Sequence, residues 1–209
     1  MLLDYNQIKT KYNMNVTGVI HIGGHHGEEL DIYIQDPNIK AIALFEADPD
    51  NFKVLEQKVN SIDKQNREIY AIKKGLGPFT CEMTLHRETG NKGQSNSVLK
   101  PKLHLQQYPG IIFNDSIKIK IDPLDRYECG SVFNLINIDI QGFELEVLRG
   151  AKKTLKHIQW IVAEVNRDEV YENCARVEEM DEFLAKYNFK RVETSWAGIT
   201  WGDALYVKN

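Results

Sequence analysis

The sequence predicts an α/β protein whose mostly parallel sheet carries helices on both faces. Short β-rich segments alternate with helical patterns along most of the 209 residues, which is typical of parallel sheets with helical crossovers. The segment at 41–45 (AIALF) is entirely apolar, as expected for a strand covered on both faces. Turn residues at 195–203 lie between the last two predicted strands and indicate a C-terminal antiparallel pair.

The first two strand–helix units carry the strongest local signals. Residues 16–22 predict a strand that ends at glycines, and residues 27–34 predict the following helix. After the strand at 41–45, Asp48 can cap a helix that has Pro49 at its first position. The remaining strands are predicted at 67–72, 80–86, 117–121, 135–140, 160–165, 189–194 and 204–207, with further helices at 143–148 and 177–187.

Residues 87–116 form a long segment rich in Gly, Asn, Ser, Lys and Pro. A loop of this length inside a compact domain is usually functional or mobile, so we interpret it as a lid. Its basic and aromatic side chains suit an anionic or sugar acceptor, although a solvated lid is the more ordinary interpretation. These side chains are Arg87, Lys92, Lys100, Lys102, His104 and Tyr108.

Length and composition limit the classes of protein. The chain suits one domain, 1–209, that includes the lid. Its net charge of -4 is a poor match for a general nucleic-acid binder. No apolar segment is long enough for a membrane span, the N-terminus does not resemble a signal peptide, and Cys81, Cys129 and Cys174 lie far apart. We therefore expect a cytoplasmic protein with reduced thiols, no membrane or nucleic-acid partner, and an open oligomeric state.

Several polar residues fall where predicted strands end. They are His21, Glu46, Asp139 and Glu164. The carboxyl ends of parallel strands meet at one edge of a sheet, where ligands bind. This coincidence predicts a ligand site at that edge.

A glycine loop, residues 21–27 (HIGGHHG), follows the first strand. Glycines allow a tight turn and close approach to a ligand, and free amides at a helix start favour a carboxylate or phosphate. A plain turn between strand and helix is the alternative interpretation.

Glu46 makes a cofactor site more plausible, because it ends the second strand 23 residues after Gly23. An acid there can accept hydrogen bonds from both ribose hydroxyls of a nucleoside, whereas its ordinary role would be to favour a helix dipole. The dinucleotide pattern GxGxxG fails, since His25 and Glu28 occupy two of its glycine positions. The loop fits S-adenosylmethionine better, and a nucleotide-linked oxidoreductase is the second hypothesis.

The chain resembles the FkbM-type methyltransferases, most specifically at residues 137–151 (NIDIQGFELEVLRGA). The family pattern there is approximately KIDhEGxExxxLxGA, in which h is a hydrophobic residue and x is any residue. The glycine loop and the segments 45–46, 95–98, 123–125 and 162–164 follow in the family's order. The resemblance covers residues 16–207.

The resemblance implies a Rossmann-like class I fold with a seven-stranded sheet and a C-terminal antiparallel hairpin. It also implies bound S-adenosylmethionine and methyl transfer to a hydroxyl of a sugar, glycan or small molecule. In it the glycine loop surrounds the methionine portion, Glu46 and the following residue hold the ribose, and Ala71 lies near adenine. The expected cofactor-binding residues are His21, Gly23, Gly24, His25, Gly27, Glu28, Glu46, Ala47, Ala71 and Asp139.

Three residues depart from the family pattern. His21 replaces a common acid that helps to bind the cofactor ammonium, Asn137 replaces a lysine, and Gln141 replaces a glutamate. Glu28 or Asp139 can take over the acid's role. These departures motivate a third hypothesis, a non-catalytic binding protein on a methyltransferase scaffold.

Asp139 is the first candidate for a general base, followed by Glu144 and Glu164, because a charged residue that ends an apolar strand usually has a task. A helix-capping role for Asp139 is the alternative. Asp139, Glu164 and Asn166 also offer oxygen ligands for Mg²⁺ or Ca²⁺, but we predict no metal site from residues of unknown geometry. We expect the adjacent histidines at 25 and 26 to diverge.

Overall fold

The computed structural model describes residues 2–209, and within them the chain forms ten strands and six α-helices. The strands are β1 (Gly18–Ile22), β2 (Ala41–Glu46), β3 (Glu68–Lys73), β4 (Gly75–Leu76), β5 (Cys81–Glu88), β6 (Phe113–Asp122), β7 (Leu135–Ile138), β8 (Trp160–Asn166), β9 (Phe189–Ala197) and β10 (Trp201–Lys208). The helices are α1 (Tyr5–Lys11), α2 (Leu30–Gln35), α3 (Pro49–Ser61), α4 (His104–Gln107), α5 (Glu144–Arg149) and α6 (Val177–Ala185).

Seven strands form the main sheet, in the order β3-β2-β1-β7-β8-β10-β9. The five strands from β3 to β8 run parallel, whereas β10 pairs antiparallel with both β8 and β9. The expected seven-stranded, mostly parallel sheet with a C-terminal hairpin is confirmed. From β1 the strand order runs through β2 to β3 on one side and through β7 to β8 on the other. A crevice is expected at the carboxyl ends of β1 and β7, where the order switches sides.

The two strands predicted around the lid belong to a second, three-stranded sheet of order β4-β6-β5. Their alternating pattern fits this sheet, because Leu85, Ile119 and Ile121 form a small cluster on one face. β5 continues to Glu88 and β6 begins at Phe113. The lid is therefore residues 89–112, shorter at both ends than predicted, and it contains α4.

The helix starts show where local signals succeed and fail. Asp48 caps α3 as predicted, because its Oδ1 accepts a hydrogen bond from the Asp50 amide at 2.8 Å, with Pro49 at the first position. α2 begins at Leu30, three residues later than predicted, since Gly27 has a φ of +77° and cannot belong to the helix.

The core lies on both faces of the main sheet. On β1, Ile20 and Ile22 pack into one hydrophobic cluster and Val19 packs into the other, as the alternation of strand side chains requires. Within residues 2–209, no helix has the length and apolar character needed to cross a membrane.

Candidate active site

A cavity of about 530 Å³ lies at the carboxyl ends of β1, β2, β7 and β8. The strand-end residues singled out in the sequence all line it, and they are His21, Glu46, Asp139 and Glu164. The structure therefore brings together four residues that lie as much as 143 positions apart in the chain. Parallel strands with right-handed crossovers impose this convergence.

The expected cofactor-binding residues divide into two groups. Those lining the cavity are His21, Gly23, His25, Glu28, Glu46, Ala47 and Asp139. Gly24, Gly27 and Ala71 lie outside its lining. Ala71 lies within β3, which continues to Lys73, so the cavity instead meets the residues that follow the strand, 74–76.

Several lining residues were not predicted. They are Leu2, Asn51, Lys74, Asp203 and the lid residues between 91 and 98. The carboxylate of Asp203 accepts hydrogen bonds from the backbone amides of Leu2 and Leu3. The sequence around Leu2 and Leu3 carries no motif that would have indicated this contact.

The amides of the glycine loop are engaged by the protein itself. Gly23 and Gly24 both donate to the carbonyl of Phe45, at 3.0 and 2.9 Å, and the amides of His25 and His26 donate to glutamate side chains. The expectation that free amides of this loop face an anion is therefore wrong. Only glycine fits at Gly23, which has a φ of +87° and would place a Cβ atom 1.9 Å from the carbonyl oxygen of Asp139.

Glu46 faces the cavity and also holds the loop in place. Its two carboxylate oxygens accept hydrogen bonds from the amides of His25, at 2.8 Å, and Asp48, at 2.7 Å. Burial raises the pKa of Glu46 to about 6. The carboxylate is thus fixed in position, and its remaining lone pairs are available at the cavity wall.

The neighbouring histidines do not diverge as expected. The rings of His25 and His26 stack with centroids 3.8 Å apart. His25 contacts Glu28 through Nδ1, at 2.7 Å, and the carbonyl of Lys92 through Nε2, at 2.9 Å. Both partners are acceptors, so both ring nitrogens of His25 donate. Burial alone would lower the pKa of His25, but these two hydrogen bonds outweigh it and raise the pKa. The ring thus links the lid to the glycine loop.

Three carboxylates meet at the ends of β7 and β8. Ligand atoms of Asp139, Glu144 and Glu164 all lie within 4.8 Å of one another. The amide nitrogen of Gln141 donates to Asp139 at 2.8 Å and to Glu164 at 2.7 Å. Burial, together with the charge of Asp139, raises the pKa of Glu164 well above its ordinary value. The raised pKa of Glu164 favours a proton on that carboxyl, and this proton and the side-chain amide of Gln141 reduce the repulsion among the three acids.

Glu144 has a different environment from the other two acids. It is 3% exposed and lies outside the cavity lining. Its Oε1 accepts hydrogen bonds from the amides of Ile140, at 2.9 Å, and Gly142, at 3.1 Å, and burial raises its pKa to about 7. These contacts close the turn between β7 and α5.

Two departures from the family pattern are neighbours. His21 on β1 is in register with Asn137 on β7. Tyr33 joins them, because its hydroxyl lies 3.2 Å from Nδ1 of His21 and accepts a hydrogen bond from Asn137 at 2.7 Å. Burial lowers the pKa of His21, so a neutral network occupies this position.

The lid is attached to the same edge of the sheet. Asn96 donates to the Asp48 carboxylate at 3.0 Å, and Ser97 donates to the backbone carbonyl of Gln141 at 2.8 Å. The hydroxyl of Tyr171 donates to the side-chain oxygen of Gln141 at 2.8 Å. Gln141 is thus the common partner of the lid and the carboxylate group.

Comparison with known proteins decides the family. Residues 21–191 match the family described as Methyltransferase FkbM domain. The chain belongs to the FkbM methyltransferase family. This membership favours methyl transfer over the oxidoreductase hypothesis.

Relatives of this FkbM methyltransferase extend the comparison. The 2-O-methyltransferase NoeI of Sinorhizobium fredii is 26% identical over 162 residues, covering 74% of this chain, and the match spans only 65% of that relative's length. M. capricolum TrmK, solved with S-adenosyl-homocysteine, superposes with a TM-score of 0.53 at 11% identity over 100% of this chain and 70% of its own. Synechocystis magnesium protoporphyrin IX methyltransferase, solved with bound SAM, superposes with a TM-score of 0.53 at 8% identity. The superposition covers 98% of this chain and 76% of that one. These two structures share the Rossmann-like methyltransferase fold.

Proposed function

We propose that this chain transfers a methyl group from S-adenosylmethionine to a hydroxyl oxygen of a sugar, glycan or small molecule. The observation that carries the proposal is the convergence of Glu46 and Asp139 on one cavity in a chain of the FkbM methyltransferase family. The relative NoeI, a 2-O-methyltransferase, supports oxygen as the acceptor atom.

The residues around the cavity fit this cofactor. The cavity lining has six acidic side chains, and Lys74 is the only lysine or arginine described there. Such a wall attracts a ligand with positive charge, and S-adenosylmethionine carries a sulfonium and an ammonium. The acid at the end of β2 suits the two ribose hydroxyls.

When bound, the cofactor supplies an activated methyl group on its sulfonium sulfur. Glu46 holds the ribose, while the acidic residues at the ends of β7 and β8 favour the positive end of the ligand. Asp139 accepts the proton of the acceptor hydroxyl as the new carbon–oxygen bond forms and the carbon–sulfur bond breaks. The lid, held by Asn96 and Ser97, keeps water from the aligned reactants.

Labelled methyl transfer tests the proposal. The full chain is incubated with S-adenosylmethionine labelled in its methyl group and with panels of sugars, glycans and small hydroxyl compounds. The proposal expects a labelled methyl ether and S-adenosylhomocysteine in equal amounts. Cofactor binding without transfer to any acceptor would favour the non-catalytic binding protein instead.

A further inference from the structure

Part of the cavity wall comes from the lid and the C-terminal hairpin. His104 and Tyr108 belong to α4 and the residue after it, and Trp201 begins β10. The indole nitrogen of Trp201 donates to the hydroxyl of Tyr108 at 2.9 Å, and Gln107 donates to Thr200 at 2.8 Å. These two bonds join lid and hairpin and orient the two large rings.

His104 is buried with an unmet hydrogen-bonding group. It is 3% exposed and packs against the rings of Tyr108, Phe113 and Tyr171, with centroids 5.1 to 5.4 Å away. Its Nδ1 has no hydrogen-bond partner within residues 2–209. Burial lowers the pKa of His104, so the ring is neutral near pH 7. A buried nitrogen of this kind costs free energy until a partner arrives.

A chain of contacts connects His104 to the carboxylate group. The ring of His104 lies 5.4 Å from that of Tyr171, whose hydroxyl donates to Gln141. Gln141 in turn donates to Asp139 at 2.8 Å. His104 and the proposed base Asp139 therefore line the same cavity and are linked through Tyr171 and Gln141.

The charges of the lid do not suit an anionic acceptor. Arg87, on β5 next to the lid, is paired with Asp48, Asp50 and Asp115, and Lys102 is paired with Glu169. The other two lid lysines, Lys92 and Lys100, lie outside the cavity lining. The cavity itself is acidic, as described above. A phosphate group, with up to two negative charges, is disfavoured beside this wall, whereas an uncharged molecule meets no penalty of this kind.

We propose that His104, Tyr108 and Trp201 form the acceptor subsite and that it takes an uncharged, hydroxylated ring. The apolar face of the ring packs against Tyr108 and Trp201, and one hydroxyl hydrogen-bonds to Nδ1 of His104. This inference rests on the proposed function, because it assigns the acceptor's place in the same cavity. His104 is then a substrate-contacting residue outside the segments that carry the family resemblance.

Ligand-observed NMR on the full chain tests the subsite, with and without S-adenosylhomocysteine. The probes are methyl β-glucopyranoside, methyl β-galactopyranoside and, as the charged counterpart, glucose 6-phosphate. We expect saturation transfer to at least one methyl glycoside and none to the phosphate. Tyr108→Ala, Trp201→Ala and His104→Phe should each weaken glycoside binding about tenfold or more.

The controls separate the subsite from folding and from the cofactor. His104→Phe keeps an aromatic ring among its neighbours and removes both ring nitrogens, Nδ1 included, and circular dichroism checks its fold. Tyr70→Ala removes a tyrosine that is 48% exposed and outside the cavity lining, and should leave binding unchanged. Three results would each overturn the inference. The wild type does not bind either glycoside, the three substitutions leave glycoside binding unchanged, or the wild type binds glucose 6-phosphate better than the glycosides. Calorimetry with S-adenosylhomocysteine tests the proposed function separately, since these variants should bind it like the wild type.

Discussion

Asp139 and Glu164 accept hydrogen bonds from the same atom, Nε2 of Gln141, at 2.8 and 2.7 Å. Two carboxylates, one buried and one partly buried, with oxygens within 4.8 Å of each other repel unless a proton or a donor lies between them. Gln141 supplies the donor, and its own oxygen accepts from Tyr171. Every polar atom of this amide therefore helps to order the proposed catalytic end of the cavity.

Gln141→Ala removes both hydrogen bonds to the carboxylates. We expect the free energy of unfolding to fall by about 1–3 kcal/mol, because buried acceptors lose their partner. Urea unfolding measures the change, with Gln159→Ala on the exposed surface as the control. Equal stability of Gln141→Ala and the wild type would show that the amide does not hold the group together.

Asp139→Asn removes the proposed base with little change in shape. Methyl transfer at saturating cofactor should slow about 10²–10⁴-fold, and the affinity for S-adenosylhomocysteine should fall separately, because one of the acids that favour its ammonium is lost. Single-turnover kinetics with labelled cofactor separates the two effects. A variant that transfers methyl at the wild-type rate contradicts the assignment of the base.

Glu46→Ala should weaken S-adenosylhomocysteine binding about tenfold or more, since two ribose hydrogen bonds are lost. The substitution also releases the amides of His25 and Asp48, so we expect about 1–3 kcal/mol lower stability as well. Calorimetry is therefore performed well below the variant's unfolding temperature. Glu56→Ala, on the exposed face of α3, is the matched control, and equal affinities of the two variants would exclude the ribose role.

Binding of S-adenosylmethionine should depend on pH in a defined direction. Burial raises the pKa of Glu46 to about 6 in the free protein. Ribose hydroxyls and a nearby cation favour its ionised form, so binding releases protons and the affinity rises between about pH 5 and 7. Calorimetry in two buffers with different ionisation heats counts the protons. Glu46→Gln should flatten the dependence, and proton uptake by the wild type would contradict it.

Glu144 makes the stability of the fold depend on pH. Burial raises its pKa from 4.5 to about 7, so its contribution is present below about pH 4.5 and is lost as the pH rises through about 7. Glu144→Gln keeps an oxygen for the two amides and does not ionise. Between about pH 5 and 8, the Tm of the wild type should fall by at least about 4 °C more than that of the variant.

The control for Glu144 lies on the same helix. Glu146 is partly exposed and paired with Arg149 at 3.1 Å. Glu146→Gln should retain the wild-type pH dependence. Parallel Tm curves for the wild type and Glu144→Gln would show that Glu144 is not protonated in the folded state.

The functional residues at the strand ends of the main sheet were predictable, because each is a single polar residue at the end of an apolar strand. Glu46 and Asp139 were found in this way, and the fold class followed from the alternation of elements. The contacts across the cavity were not predictable. Asp203 and Trp201 reach the site through the hairpin register, which no local pattern specifies. His104 was named among the lid side chains that suit an acceptor, but its place among the rings of Tyr108, Phe113 and Tyr171 depends on how the lid packs.

The glycine loop shows a different limit. Its glycines predict a tight turn and close approach to a ligand; Gly23 does have a φ of +87°, but what it approaches closely is the backbone of Asp139. The use of its amides depends on Phe45 and Glu46, which lie about 20 residues away in the sequence. Long-range hydrogen bonds of this kind cannot be read from spacing alone.

Calorimetric titration of the wild-type chain with S-adenosylhomocysteine tests the central claim most directly. The claim is that this FkbM family member binds the methyl-donor cofactor in the cavity at the ends of β1, β2, β7 and β8. We predict a saturable heat for one site, which S-adenosylmethionine abolishes by competition, and a rise in Tm. No heat and no change in Tm at millimolar ligand would contradict it.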